Sequence, residues 1–436
     1  MADNNRNLLS SQARVQVPWI KVTIGDYTFG VFSRTKETTK NSAGFYTAYN
    51  VQYPNYIRGL EVIKINGQVN KYTLNIVYPV TPTDDPNFFE KVFSSVSNTR
   101  KIVFSYGDAT QPTYVYKDEE ALIIKVDPSF SFGNGGEMSA IINYTVTAIS
   151  SANLCKSGSY TFIESRDRKP SDIIKELFKN KTYGLQDIFT GMSLNNLDAL
   201  IEGGDKEVHI DAKVNISVLD YINYLVSCMV PGSSTLQGTS NELYVLTLHD
   251  DTTYDKLYND TVSLGGPYFR VTKTSLKTEH ADAYTIDLGY NTSAIVTNFS
   301  VEQNEGYSIL YDYQTKLHPQ QYKRILNNKG QWEDAFAPAI SAKDNSANVT
   351  ETDNITWWTK ITKYPIKATL TIQGLLRPAQ LMTFVRLNVI FPGGHRHIHS
   401  GLYIVTQQRD NIDERGYKTT LSLTRIAGDN DSWGVM

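Results

Sequence analysis

Lys367-Ala-Thr-Leu-Thr-Ile-Gln-Gly374, Phe384-Val-Arg-Leu-Asn-Val-Ile390, Ser400-Gly-Leu-Tyr-Ile-Val-Thr406 and Gly416-Tyr-Lys-Thr-Thr-Leu-Ser-Leu-Thr-Arg425 are four short runs in which apolar residues alternate with Thr, Arg, Lys, Asn or Ser. Successive side chains of a strand point to opposite faces, so each run buries one face and wets the other. Glycines punctuate the runs. The stretch 367–429 therefore reads as a closed or stacked antiparallel sheet.

The rest of the chain is consistent with that reading. At 436 residues it is too long for one compact core and predicts two to four domains. Apolar residues make up 40%, and 28 tyrosines against 15 prolines suit wet-faced strands better than helical bundles. Lys and Arg number 42 and Asp and Glu 45, a formal charge of -3, which argues against a protein built to coat nucleic acid. Two cysteines, Cys155 in a loop-like segment and Cys228 in an apolar helix, do not make a disulfide scaffold. The first residues lack the apolar stretch of a signal peptide, and no window approaches the roughly 18 apolar residues of a membrane helix. Assembly in a cytoplasm is expected, and the Asn-x-Ser/Thr triplets at Asn143, Asn291, Asn298 and Asn354 then read as coincidences.

Residues 1–17 are polar and read as a flexible arm. Strands are predicted over 19–24 and 27–32 around Gly25-Asp26, and over 60–65 and 71–78 around Asn66-Gly67, a hairpin signal because both positions of a type I′ turn need positive φ. Asp85 is expected to cap a helix with Pro86 at its first position and Phe88, Phe89, Val92, Phe93 and Val96 on one stripe. Strands over 101–106, 113–116, 121–126 and 138–149 complete a sheet with one packed helix.

From Ser165 the pattern turns helical. A helix over 170–180 opens on Pro170 and Asp172, presents Ile173, Ile174, Leu177 and Phe178, and stops by Gly184. A second follows a Ser217-Val-Leu-Asp220 capping box, buries Leu219, Ile222, Leu225, Val226 and Met229, and ends at Pro231-Gly232. Strands over 208–214 and 243–248 flank it in a small α+β module. Strands over 269–273, 283–288, 293–301 and 307–313 are expected to pair with those of 367–425. That leaves 319–360 as an insertion, either tolerated on the surface or ordered by a partner.

Chemistry is sparse. His395, His397 and His399 follow Gly393-Gly394, and residues two apart on a strand share a face, so three imidazoles there have metal-ligand spacing. Without a carboxylate pattern to orient them they read as solvated hairpin residues, and no metal and no cofactor is expected. There is no His-Glu-x-x-His and no Gly-x-Ser-x-Gly, and Cys228 lies in an apolar stripe unsuited to a nucleophile. The acidic groups Asp84-Asp85, Asp118-Glu119-Glu120 and Asp250-Asp251 are read as caps and turns before they are read as a glycosidase pair. Gly133-Asn-Gly-Gly136 lacks the Lys-Ser/Thr of a phosphate loop and reads as a turn.

The string of Gly374, the Val-x-Leu-x-Val of 385–389, Ser400-Gly401-x-Tyr403-x-Val405 and Gly416-Tyr417-x-Thr419-x-Leu421-x-Leu423-x-Arg425 resembles the last domain of the central baseplate hub proteins of contractile-tailed bacteriophages. That family includes late-control tail proteins and the hub part of type VI secretion spikes. The resemblance implies a mainly β chain with an α+β insert: a flexible arm 1–17, a first tube-type β domain 18–165, a middle domain 166–262, a second tube-type β domain in two parts, 263–318 and 361–436, and an insertion 319–360. It also implies a non-enzymatic homotrimer that joins the tail tube, or a tube-initiator protein, to a central spike among other baseplate proteins. DNA would pass through its lumen without specific binding, in a virion tail and with no membrane. Most of the basic residues Lys363, Lys367, Arg377, Arg386, Arg396, Arg409, Arg415, Lys418 and Arg425 are then expected at subunit contacts or in solvent. Two other readings compete: a glycan-binding receptor protein of the tail, and a tail-associated peptidoglycan hydrolase.

Overall fold

The computed structural model describes residues 18–31, 35–40, 46–51, 54–108, 115–132, 140–163, 166–229, 242–250, 266–275, 284–289, 296–303, 325–326, 332–333, 366–374, 381–397, 399–413 and 415–428. The first part is strand-built. β1 (Pro18–Ile24), β2 (Tyr27–Val31), β3 (Thr35–Lys40), β4 (Tyr46–Val51), β5 (Ile57–Ile65) and β6 (Lys71–Val80) precede α1 (Phe88–Ser95), and β7 (Lys101–Asp108), β8 (Val115–Phe132) and β9 (Ala140–Ser150) follow it. The strands β5-β6-β9-β8-β7-β1-β2 neighbour one another in that order, all antiparallel. Gly30 N–H donates to Pro54 O at 3.2 Å, which brings β2 back beside the start of β5 and curls the sheet round one core. Phe89 on α1 is fully buried there, its ring 5.3–5.6 Å from those of Phe29, Tyr56, Tyr78 and Tyr144.

Three expectations need correction here. Helix α1 starts at Phe88, not Pro86, because Asp85 Oδ1 accepts from Asn87 N–H at 2.9 Å and forms a turn ahead of the helix. The strands expected over 113–116 and 121–126 are one strand, β8. The polar run that reads as a break holds a bulge, where Asp118 adopts φ +55° and its N–H donates to Ser105 Oγ at 3.0 Å. Finally, the hairpin at Asn66-Gly67 exists, with Gly67 at φ +67°, but its loop is longer than two residues and spans 66–70. Val69 and Asn70 leave the strand to serve the second part of the chain.

That second part holds β10 (Tyr160–Phe162), β11 (Arg166–Arg168), α2 (Pro170–Lys179), α3 (Leu185–Ile188), α4 (Leu197–Leu200), β12 (Val208–Ile210), β13 (Lys213–Ile216), α5 (Val218–Cys228), β14 (Glu242–His249) and β15 (Tyr268–Ser275). Ser217 Oγ accepts from Asp220 N–H at 3.1 Å, as the capping signature predicts. Gly184, at φ +62°, ends the short 3-10 turn that follows α2. The apolar stripes of α2 and α5 face each other in one core with Phe189, Tyr244 and Phe269. The single strand expected over 208–214 is two: β12 pairs with β11 and β13 with β10. The strand expected over 269–273 is β15, and it pairs with β14 instead of the carboxyl-terminal sheet.

The third part contains β16 (Tyr284–Gly289), β17 (Val296–Gln303), the two-residue β18 (Ile325–Leu326) and β19 (Trp332–Glu333), then β20 (Ile366–Gln373), β21 (Phe384–Ile390), β22 (Gly401–Asp413) and β23 (Gly416–Gly428). The four alternating runs are thus four strands. Their inward residues Leu370, Ile372, Leu387, Tyr403, Val405, Leu421 and Leu423 share a core. One ladder departs from the antiparallel expectation, since β16 and β21 run parallel. The arm 1–17, the strand expected over 307–313 and most of the insertion 319–360 lie outside the described residues.

One sheet runs through the first and third parts in the order β17-β20-β23-β22-β5-β6-β9-β8-β7-β1-β2. Strand β22 is the splice. Gly401–Ile404 pairs with β21, and after an irregularity before Gln407 the strand continues against β5 from Gln407↔Ile65 to Asp413↔Gly59. The chain is therefore mainly β, with an α+β module between two sheet-built parts.

Candidate functional site

The three parts meet in one buried polar cluster. Period two along β5 puts Leu60, Val62 and Lys64 on one face, so the Lys64 chain enters the core where an apolar residue is expected. It is fully accommodated. Lys64 Nζ pairs with Glu119 Oε1 and sits 3.6 Å from the centroid of the Tyr116 ring. Glu119 Oε2 accepts from Tyr72 and Tyr106 hydroxyls at 3.0 and 2.9 Å. From the second part, Asp250 receives Ser150 Oγ at 2.5 Å, Asn70 Nδ2 at 2.7 Å and Tyr72 OH at 3.0 Å. From the third, Asp410 receives Gln408 Nε2 at 2.6 Å, Thr419 Oγ1 at 2.7 Å and Tyr417 OH at 3.2 Å, while Gln408 also bonds Tyr116.

Three carboxylates around one ammonium leave the cluster short of positive charge. Burial pushes both Asp250 and Asp410 up to about 6, with Glu119 adding to the effect on Asp250 and Lys64 opposing it on both. Burial and the neighbouring carboxylates likewise hold Tyr72 and Tyr106 well above the ordinary phenol value. The loop 66–70 ties the parts together. Asn66 N–H donates to Thr406 O at 3.2 Å, Asn223 Nδ2 donates to Gly67 O at 3.1 Å, and Val69 is buried in the second core. All three carboxylates of this junction are hydrogen-bonded, while Asn66 Oδ1 and Asn70 Oδ1 are buried without a partner, and the arrangement is that of a structural keystone.

A second feature lies at the surface. Strand β8 pairs with β9 along residues 121–132, but β7 covers its other side only as far as Leu122. Among the described residues no strand lies on the outer side of β8 from Ile124 to Phe132. Pro128 sits in this half, a residue that a strand tolerates where one side carries no ladder. Ile124, Phe130 and Phe132 are 53, 59 and 77% exposed, and Ile141 on β9, opposite Ser131, is exposed on the other face of the ladder from Phe130 and Phe132.

The residues singled out from the sequence fare unequally. His397 and His399 have ring centroids 4.5 Å apart, His395 is exposed, and among the described residues no group of three or more His, Cys, Asp or Glu has a metal-holding arrangement. Burial, His397 and Arg425 push His399 down from its ordinary value. Cys155 and Cys228 are buried and unpaired with each other, and burial pushes the Cys155 thiol up to about 12. The acidic groups were underread: Asp84 and Asp85 do belong to a turn, but Glu119 and Asp250 are core residues of the junction. Lys64, Tyr72, Tyr106, Tyr116, Gln408 and Asp410 were missed. The signal for Lys64 was its parity with Leu60 and Val62, and for Asp410 its parity with Gln408 and Ile412.

Gly133-Asn-Gly-Gly136, Asp251, Lys363 and Arg377 lie outside the described residues. Lys367, Arg396, Arg409, Arg415 and Lys418 are exposed, and Arg409 pairs with Glu61. Arg425 is the exception among them. It is buried, and its guanidinium donates to Ser400 O at 3.0 Å, joining the last strand to the Ser400-Gly401 bend.

No family model matches the chain, and no curated protein matches it. Among solved structures it is similar to the 43 kDa tail protein of prophage MuSo2 from Shewanella oneidensis, at 9% identity and a TM-score of 0.45 over 94% of this chain and 98% of that one. A tail protein from Neisseria meningitidis aligns at 9% identity and 0.45 over 95% and 98%. An Escherichia coli type VI secretion component, itself structurally similar to tail proteins of bacteriophage T4, aligns at 9% and 0.42 over 85% and 74%. These three are two tail proteins, one of them from a prophage, and a type VI secretion component.

Proposed function

We propose that this chain is a structural hub subunit of a contractile-tail baseplate, three copies of which close into a ring of pseudo-sixfold character. The ring joins the tail tube, or a tube-initiator protein, to a central spike, and DNA passes through its lumen without specific binding. The observation that carries this reading is the open half of β8: a strand edge that no described strand covers, flanked by Ile124, Phe130 and Phe132, is a template for pairing with another chain. The sheet continuous through both strand-built parts supports two tube-type units, one built on β1, β2 and β5–β9 and the other on β16, β17 and β20–β23, around a middle domain that takes in β14 and β15. The buried junction supports a rigid body, which symmetric assembly needs. Among the described residues no helix is long and apolar enough to cross a membrane.

Native mass spectrometry of the purified chain is expected to give a three-copy species. Binding to host-wall glycans in a cleft of aromatic side chains would favour the receptor reading instead. Clearing of a peptidoglycan gel would favour the hydrolase.

A further inference from the structure

Tyr72 stands between two carboxylates. Its hydroxyl lies 3.0 Å from Glu119 Oε2 and 3.0 Å from Asp250 Oδ2, and all three side chains are buried. A phenol has one proton to donate. If both carboxylates were ionised, one of them would face the lone pairs of the Tyr72 oxygen. The other donors are already placed: Lys64 and Tyr106 serve Glu119, while Asn70 and Ser150 serve Asp250. One added proton completes the set. On Asp250 it runs to the Tyr72 oxygen, whose own proton runs to Glu119, and the Lys64 ammonium keeps the negative charge on the Glu119 side.

We propose that Asp250 is the protonated member of an Asp250–Tyr72–Glu119 bridge, and that this proton latches the end of β14 onto the first core. The latch has a backbone component as well, since Glu120 N–H donates to Asp250 O at 3.3 Å. With the proton gone, two buried carboxylates of like charge share one hydroxyl, and the segment that carries Asp250 loosens. The device is a pH-sensitive contact between the α+β module and the first sheet.

The charged and titratable groups around it set the sign of the response. Burial first, then Glu119, pushes Asp250 up to about 6, so the latch closes as pH falls through that value and opens as pH rises. A raised carboxylate adds stability progressively from about 6 down toward its ordinary value and none above. Asp410, also pushed up to about 6 by burial, acts in the same direction. His249 acts in the opposite one: burial, Lys64 and Arg270 hold it well below its ordinary value, so unfolding lets it take up a proton in mild acid. Tyr72, Tyr106, Tyr116 and Tyr417 are all raised, so they stay neutral across this window. The net pH curve therefore mixes signs, and the difference between wild type and Asp250→Asn isolates the latch.

The substitution has a route to a satisfied structure. Asn70 Oδ1 is buried without a partner, so rotating the Asn70 amide offers an acceptor to the new amide at 250. Hydrogen–deuterium exchange of the full chain, corrected for intrinsic rates, is compared at about pH 5 and about pH 7.5. Wild type is expected to show several-fold stronger protection at Glu120 and along β14 at the lower pH, and Asp250→Asn protection that does not change between the two. An unchanged pH response in Asp250→Asn, or none in wild type, overturns the latch. Should that variant not fold, infrared difference spectra of wild type and Tyr72→Phe decide. A protonated-carboxyl band present at the lower pH and shifted by loss of the hydroxyl supports the bridge; no band, or one indifferent to Tyr72, refutes it.

Discussion

Lys64 is the residue on which the core's electrostatics turn. Its ammonium is the cation paired with Glu119, and it also depresses the raised values of Asp250 and Asp410. Breaking a buried pair by removing one partner leaves an uncompensated charge, which costs about 3–5 kcal/mol. Lys64→Met is therefore expected to lower the unfolding free energy obtained from urea titration by that amount, and the midpoint with it. A Lys64→Met, Glu119→Gln double variant should recover part of the loss, since it removes the orphaned charge as well. A Lys64→Met midpoint equal to wild type would show that the Lys64–Glu119 pair does not stabilise the core. Residue-scale reasoning from the sequence read Glu119 and Asp250 as caps and turns. Burial of a carboxylate depends on partners from distant strands: Asp250 meets Tyr72 across 178 positions and Tyr116 meets Gln408 across 292. No local window contains both ends.

At the scale of elements, α1 and the outer half of β8 make opposite demands. Phe89 packs against four rings inside the curled sheet, so Phe89→Ala removes contacts that the surroundings cannot refill. A loss of about 3–5 kcal/mol is expected in equilibrium unfolding. Phe130→Lys and Phe132→Lys alter exposed positions and should leave unfolding of the isolated chain within about 0.5 kcal/mol of wild type. The same two changes should abolish association between copies in sedimentation, because they place charge on the open strand edge. Wild-type association by either variant would remove β8 from the interface. The elements best read from sequence were those with strict alternation or a local cap, β20 to β23 and α5. The bulge at Asp118 was lost because a polar run of four charged residues resembles a loop, and the parallel pairing of β16 with β21 was lost because ladder partners are set by the third dimension.

For the whole molecule, the splice at β22 is the decisive feature. One strand serves two sheet segments, so the first and third parts cannot rotate as independent bodies without breaking the ladder from Gln407 to Asp413. The buried cluster of Lys64, Glu119, Asp250 and Asp410 adds the α+β module to the same unit. A chain locked in this way presents the outer half of β8, which no described strand covers, in a fixed direction, which is what closure of a symmetric ring requires. Negative-stain class averages of the purified full-length chain test this most directly. The account predicts closed threefold rings with a central lumen; particles that remain single chains at every concentration, or that add end to end into open filaments, would contradict it.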